Sequence, residues 1–487
     1  MSFDRAKPTA AVPASGTAQP YAKRWAVAAI MILAALMDMI DINSVNVGLP
    51  SMARDLQASG TQLQWVVSAY LLGFAGTLII AGHLGDRYGR KRLFLVGVAA
   101  FAVASLASGL ARSPEFLIGA RAVQGVAAAT LMPQVLASFR TLFQGGERAK
   151  AFGVYGAVTG LAAAVGILLG GALVDWDLFG WQWRTVFFIN LPIALIVLAI
   201  GSRIIPADER AAGERPDVLG ALALAAGLVA IVLPLSQGRD NGWPLWGWIC
   251  MAAGVLAVAG VAMSEARRRV ASPLLPAAVL KIPAVVAGLG VMLLFYAAMQ
   301  GLMLAFAIWL QAGQGYTPFQ AGLLTFAFAV GTILVAANAG TLATKYGRIV
   351  LVVGGIAMGA GTLLLRHAAT GSAPNHTGAW PMVPGLLVMG IGLGFLVIPL
   401  VNVVLSAVPA QLAGSASGIF STAQQFGGAL GIPVLGSIFF GDAAHGLTEA
   451  FTRTAPWAAA AFFAAAALCL ALPRTAISPE TAAELGA

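Results

Sequence analysis

Gly82-His83-Leu84-Gly85-Asp86-Arg87-Tyr88-Gly89-Arg90-Lys91-Arg92 separates two apolar blocks, residues 63–82 and 93–111. A helix of about 20 residues, rising ~1.5 Å per residue, crosses about 30 Å of hydrocarbon, and both blocks have that length. The charged, glycine-rich stretch between them is too short to hold a domain. It therefore reads as the tight turn of a hairpin whose two arms cross a membrane in opposite directions. Outward from this hairpin the same alternation recurs along the chain. Apolar blocks fall near residues 25–49, 63–82, 93–111, 115–138, 151–173, 185–204, 218–235, 244–263, 284–310, 319–343, 349–366, 381–405, 413–440 and 455–472. Of the 487 residues, 59% are hydrophobic and 10% charged, against about 45–50% and about 25% in soluble domains. A membrane β-barrel would show strands of about 10 residues alternating with period two, and no such alternation runs through these blocks. The fold class is all-α, a polytopic membrane protein with about fourteen transmembrane helices.

The net charge of +9 suggests nucleic acid in a soluble protein, but placement decides otherwise. Of the 28 Lys and Arg, 21 fall in linkers on the side of the N-terminus, six on the opposite side, and Arg121 lies within a helix. By the positive-inside rule both termini are then cytoplasmic, which requires an even number of crossings. The expected partners are small amphipathic molecules, protons and membrane lipids, with no nucleic acid; the Arg267-Arg268-Arg269 run reads as a topology determinant ahead of a contact for anionic head groups. The first apolar block is long and lacks a clear cleavage site, so no signal peptide is expected. Cys250 and Cys469 lie inside apolar blocks and imply no disulfide framework.

Beyond the hairpin, three segments stand out: Asp41-Ile-Asn-Ser-Val-Asn46-Val-Gly-Leu-Pro50 in the first helix, Arg121-Ala-Val-Gln124-Gly125 in the fourth, and Trp183-Arg184-Thr-Val-Phe-Phe-Ile-Asn190-Leu-Pro192 opening the sixth. With Gly82, Gly85, Asp86, Arg87, Gly89 and Arg90 in the loop, and with Gly315-Tyr-Thr-Pro318 and Gln424-Gln425-Phe-Gly427-Gly428 later, the chain resembles the major facilitator superfamily, in particular fourteen-helix drug:proton antiporters of the EmrB/QacA type. The resemblance implies a major facilitator fold of two six-helix halves, residues 25–205 and 271–473, around an inserted helix pair within 206–270. Residues 1–24 and 474–487 are then cytoplasmic tails, the first of them disordered. It implies that the loop after helix 2 locks a cytoplasmic gate, with Asp86 accepting hydrogen bonds from the positive end of a neighbouring helix. It also implies a periplasmic adaptor where the host has an outer membrane. Two departures bear on mechanism. The helix 5 antiporter-like motif Gly160, Gly166, Gly170, Gly171 carries Ile167 where that pattern has proline, which leaves antiport less firmly implied than transport. The second-half copy of the gate loop carries Thr344 in place of an acid.

Intramembrane charges can be read without the family. Asp38, Asp41 and Arg121 are the clear ionisable residues deep within the blocks, and such groups are expensive enough in hydrocarbon to be functional by default. Asp41 lies roughly 12 Å below the outer end of helix 1 and Arg121 roughly 10 Å below the same surface on helix 4, at about 1.5 Å per residue. This matched depth predicts an ion pair. Asp38, three residues from Asp41, shares its face. Two assignments fit: Asp41 with Arg121 as the proton-responsive pair and Asp38 meeting cargo, or Asp38 as proton carrier with Asp41 bracing Arg121. Phe295, Tyr296 and Met299 are candidate lining for an apolar cargo pocket, with Asp38 as its charged member.

Several chemistries are set aside. His83, His367, His376 and His445 show no ligand spacing, so no metal site is expected. No GxxxxGK[ST] string occurs, and no cofactor is implied. The GxGxG spelling at Gly390, Gly392 and Gly394 has no preceding strand and reads as helix packing. No nucleophile with a base beside it is visible, so the chain reads as a transporter and not an enzyme. The cargo class stays open between amphipathic or cationic drugs and a lipid, siderophore or secondary metabolite. The orientation is directly testable: a cysteine introduced at Arg267 (Arg267→Cys) should resist a membrane-impermeant thiol reagent in intact cells, and strong labelling there would reverse the topology.

Overall fold

A computed structural model describes residues 21–207, 217–239, 241–268, 277–370, 378, 380–409 and 412–473. Most of both expected tails and part of the linker after Arg267 lie outside these residues. Fourteen long helices run through the described residues. In the first half they are α1 (Arg24–Leu56), α2 (Gly60–Tyr88), α3 (Arg90–Gly109), α4 (Pro114–Leu142), α5 (Gly145–Asp175) and α6 (Gln182–Ile204). Two more follow, α7 (Val218–Gln237) and α8 (Leu245–Arg268). The remainder are α9 (Pro283–Ile308, continued by a π turn to Gly313), α10 (Pro318–Tyr346), α11 (Arg348–Thr370), α12 (Val383–Leu405), α13 (Ala413–Asp442) and α14 (Leu447–Cys469). By length and apolarity twelve of these can cross a membrane, or thirteen when α2, bent by 52° between Leu78 and Ile80, counts as one span. The fourteenth, α14, begins with Glu449 and Arg453 and falls short of that apolar standard.

Most helices outrun their apolar blocks. The block at 63–82 becomes Gly60–Tyr88, and that at 455–472 becomes a helix starting at Leu447. Backbone hydrogen bonding continues past the hydrocarbon edge, and local caps set the true ends. Ser59 and Gln62 form a capping box at the start of α2, as do Thr317 and Gln320 at α10. Gly89 (φ +96°) and Gly347 (φ +59°) end α2 and α10 in conformations that L side chains rarely adopt. The two turns repeat each other in detail. Arg87 stacks over Tyr88 at 5.5 Å in the first, and Lys345 over Tyr346 at 5.1 Å in the second.

Packing divides the helices into two bundles. In one, α2 lies along α4, α1 along α5 and α3 along α4; in the other, α11 lies along α12, α9 along α13 and α10 along α12. The contacts depend on glycine. A Cβ at Gly125 would sit 2.0 Å from the carbonyl oxygen of Tyr70, and one at Gly431 would sit 1.9 Å from that of Ala297. The pair α7 and α8 packs on α2 of the first bundle and, through α7, on α13 of the second.

The bundles meet at one end, where the loops 57–59 and 314–317 lie. There Gly171 abuts the backbone of Pro318 and Phe319, Gly322 the carbonyl of Ile167, and Gly60 the ring of Phe440. Gln311 donates to the Val47 carbonyl at 2.8 Å, and the Phe319 amide donates to Asp175 at 3.0 Å. Toward the other end a Cβ at Gly153, Gly156, Gly160, Gly340 or Gly418 would meet nothing within 4 Å. Among the described residues, the contacts between the bundles thus gather at the first of these ends. Gly125→Ala should push α2 from α4 and destabilise the protein by about 1–3 kcal/mol. Gly119→Ala on the exposed side of α4 should stay within about 0.5 kcal/mol of the parent. Equal thermal midpoints for the two purified variants would contradict this packing.

Candidate functional site

A buried polar cluster is assembled from five helices of the first bundle. Asp41 on α1 and Arg121 on α4 are 0% and 1% exposed and meet at 2.6 Å, Nη1 to Oδ2. The depth match read from the sequence is realised as direct contact. Arg121 also donates through Nη1 to Gln124 Oε1 at 2.8 Å and through Nε to the Val66 carbonyl at 3.3 Å. The second oxygen of Asp41 accepts from Gln124 Nε2 at 2.9 Å and from Asn190 Nδ2 at 2.8 Å. Asn190 reaches Ser105 as well, and Ser105 donates to the Phe187 carbonyl. A buried carboxylate is tolerable only when paired and hydrogen-bonded, and both oxygens of Asp41 meet that requirement.

Asp38, one turn along α1, is only half satisfied. Tyr70 on α2 donates its hydroxyl to Oδ1, while Oδ2 is buried with no hydrogen-bond partner among the described residues. The two carboxylates differ in what they lack: Asp41 has its counter-charge, and Asp38 has an open oxygen.

Helix 5 places this cluster against the seam. Gly166 and Gly170 let α1 approach so closely that added Cβ atoms would lie 3.0 Å from Ile40 Cα and 2.6 Å from Ser44 Cα, and Ser44 donates to the Gly166 carbonyl at 2.7 Å. Gly171 and the Ile167 carbonyl turn the other way, onto α10. Thus three glycines of the motif and the Ile167 backbone serve as packing surfaces on two faces, whereas Gly160 is exposed and touches nothing. The Trp183–Asn190 segment braces α1 at two levels. Its Asn190 holds Asp41, and both Trp183 Nε1 and Arg184 Nη1 reach Asp55, at 3.0 and 2.6 Å.

In the loop after α2, Asp86, 52% exposed at its side chain, pairs at 2.9 Å with the side chain of Arg90, the first residue of α3. Gly85 packs against Gln134 of α4, whose amide donates to the Ala81 carbonyl at 2.9 Å. Gly82 lies beside Pro133, and Arg87 stacks on Tyr88. On α9, Phe295 is fully buried, its ring 5.5 Å from that of Phe462, while Tyr296 and Met299 are half-buried. The three therefore do not present one common surface in this conformation. Tyr70 and Ser105 were missed from sequence. The available signal was the tyrosine hydroxyl within an apolar helix, which must find a partner when buried.

The Major Facilitator Superfamily model matches residues 31–432 and 288–487. The chain belongs to that superfamily. It is 38% identical over 425 residues to the probable actinorhodin transporter of Streptomyces coelicolor, covering 87% of this chain and 73% of that protein. It is 37% identical over 462 residues to a puromycin resistance protein of Streptomyces alboniger, covering 91% and 88%. Among solved structures, a proton dependent oligopeptide transporter aligns with a TM-score of 0.64 at 15% identity, covering 92% of this chain and 98% of the other. At that identity the likeness concerns the fold alone. As a superfamily member with many apolar helices, the protein is a multi-pass membrane transporter.

A buried ion pair has a distinctive mutational signature. Asp41→Asn leaves the Arg121 charge unpaired and should cost about 3–5 kcal/mol. Replacing both members with apolar residues of similar volume, Asp41→Leu with Arg121→Met, should recover most of that loss. Thermal unfolding of the purified variants is the measurement, and a double variant no more stable than Asp41→Asn would show that the pairing energy is assigned wrongly.

Proposed function

We propose that this protein is a proton-coupled exporter of amphipathic or cationic small molecules, with about fourteen spans of the EmrB/QacA type, working by alternating access in the cell membrane with both termini in the cytoplasm. The observation that carries the reading is the juxtaposition of a fully satisfied pair, Asp41 with Arg121, and a half-satisfied carboxylate, Asp38, one turn apart on α1. With this orientation the end where the bundles touch faces outward, and the conformation is one that takes cargo from inside. Residues 25–205 and 271–473 act as the two moving halves, and 206–270 as the inserted pair.

Binding and coupling follow from charge. A cationic cargo supplies the counter-charge that Asp38 lacks and displaces a proton from it. Tyr296 and Met299 offer apolar surface for the remainder of the cargo, with Phe295 packed behind Tyr296. The Asp41–Arg121 pair responds to protons because Arg121 favours the ionised acid and burial favours the neutral one. Asp86, with the Gly82–Arg90 loop, closes the cytoplasmic end when the halves rock together, exchanging its Arg90 contact for the other half. The similarity to transporters named for actinorhodin and puromycin favours a second reading of the cargo, an antibiotic-like secondary metabolite. Membrane lipids surround the bundle, and an adaptor applies only if the host has an outer membrane.

The experiment is ethidium efflux in proteoliposomes under an imposed pH gradient. Asp41→Asn should abolish pH-driven efflux of every substrate, whereas Asp38→Asn should weaken cationic substrates more than neutral amphiphiles. Efflux of neutral amphiphiles that keeps its dependence on the pH gradient in Asp41→Asn and loses it in Asp38→Asn would hand the proton-carrier role to Asp38.

A further inference from the structure

We infer that Tyr70 is the positioning residue that couples the cargo carboxylate to the proton-responsive pair; this rests on the exporter reading above. Tyr70 is 0% exposed, and its two chemically distinct parts serve two partners. Its hydroxyl donates to Oδ1 of Asp38. Its ring lies under Arg121, the guanidinium carbon 4.2 Å from the ring centroid. Arg121 in turn holds Asp41. One side chain therefore touches the open carboxylate with its edge and the cation of the closed pair with its face.

The two contacts are not independent. A phenol that donates to a carboxylate becomes more electron-rich, and the attraction of a cation for an aromatic face grows with the negative charge on that face. Ionised Asp38 thus tightens Tyr70 on Arg121. When cargo or a proton neutralises Asp38, the polarisation falls and the ring's hold on Arg121 loosens. Arg121 then leans more fully on its remaining partners, Asp41, Gln124 and the Val66 carbonyl. The charge state of one carboxylate is passed to the other without the two touching.

The backbone at Tyr70 cannot take up this change. Its carbonyl is packed against Gly125, where even a methyl group would sit 2.0 Å away. The adjustment is left to the side chain and to Arg121. The next residue, Leu71, lies at the seam, 3.1 Å from where a Cβ on Gly428 of the other half would be. The charged or titratable groups that face Asp38 and Tyr70 are Asp41 on α1, Arg121 on α4 and Tyr155 on α5, whose hydroxyl lies 3.2 Å from Met132 Sδ. Of these, Arg121 alone contacts the Tyr70 ring as a cation.

The test measures protons released per ethidium bound to purified protein, across a range of pH. Tyr70→Phe keeps the ring under Arg121 and the packing against Gly125 but loses the donor. The pH at which release per bound dye is greatest should shift by about one unit, the tenfold scale of one hydrogen bond to a charged group. In an Asp38→Asn background, Tyr70→Phe should change the pH profile no further, because the hydroxyl has lost its charged acceptor. A Tyr70→Phe protein with the wild-type profile, an additive effect in the double variant, or weaker dye binding at unchanged protons per dye would each overturn the inference. Wild-type protein that binds ethidium and releases no proton would overturn the exporter reading, and this inference with it.

Discussion

The Asp41–Arg121 contact is the constraint on which the first bundle depends. A buried pair is stable only if every remaining donor and acceptor is met, and five other positions supply that need. Gln124, Asn190, Ser105 and the Val66 and Phe187 carbonyls lie on α2, α3, α4 and α6. Satisfying one carboxylate therefore fixes the mutual placement of most of this half. The glycines follow from the same demand. Arg121 reaches Val66 because Gly125 lets α2 come within backbone contact of α4, and Ser44 reaches Gly166 because that position has no side chain.

Burial on this scale makes the first half a rigid body, and rigidity in each half is what allows motion between them. The seam is built differently from the bundle interiors. Its contacts are short and local: a glutamine to a carbonyl, an aspartate to a helix amide, glycines against backbone. Among the described residues, Gln64 Oε1 and Gln311 Oε1 at that end are buried without a hydrogen-bond partner.

Much of this was legible in the sequence, for identifiable reasons. The helices could be read because hydrocarbon thickness imposes a length, and Asp41 with Arg121 could be paired because depth follows from counting residues. Helix ends were misjudged where capping, as at Ser59, and not hydropathy sets them. Tyr70 escaped notice because its role depends on which face of α2 meets α1 and α4, and a uniformly apolar helix carries no periodic signal of its facing. The partner of Asp86 was within reach of the sequence, because Arg90, the first residue of α3, lies four positions along.

The polar start of α14 has a consequence for how the chain enters the bilayer. Glu449 and Arg453 pair with each other, Arg453 also holds Asp442, and Arg366 of α11 donates to the Thr452 carbonyl. The rest of the helix is dominated by alanine, which packs closely against α11 and α9 but contributes little transfer energy of its own. Insertion of this last segment therefore relies on helices already resident, which offer a surface for its small side chains and partners for its charges. α9, α11 and α13 all precede it in synthesis, so the surface that receives it is made before it is.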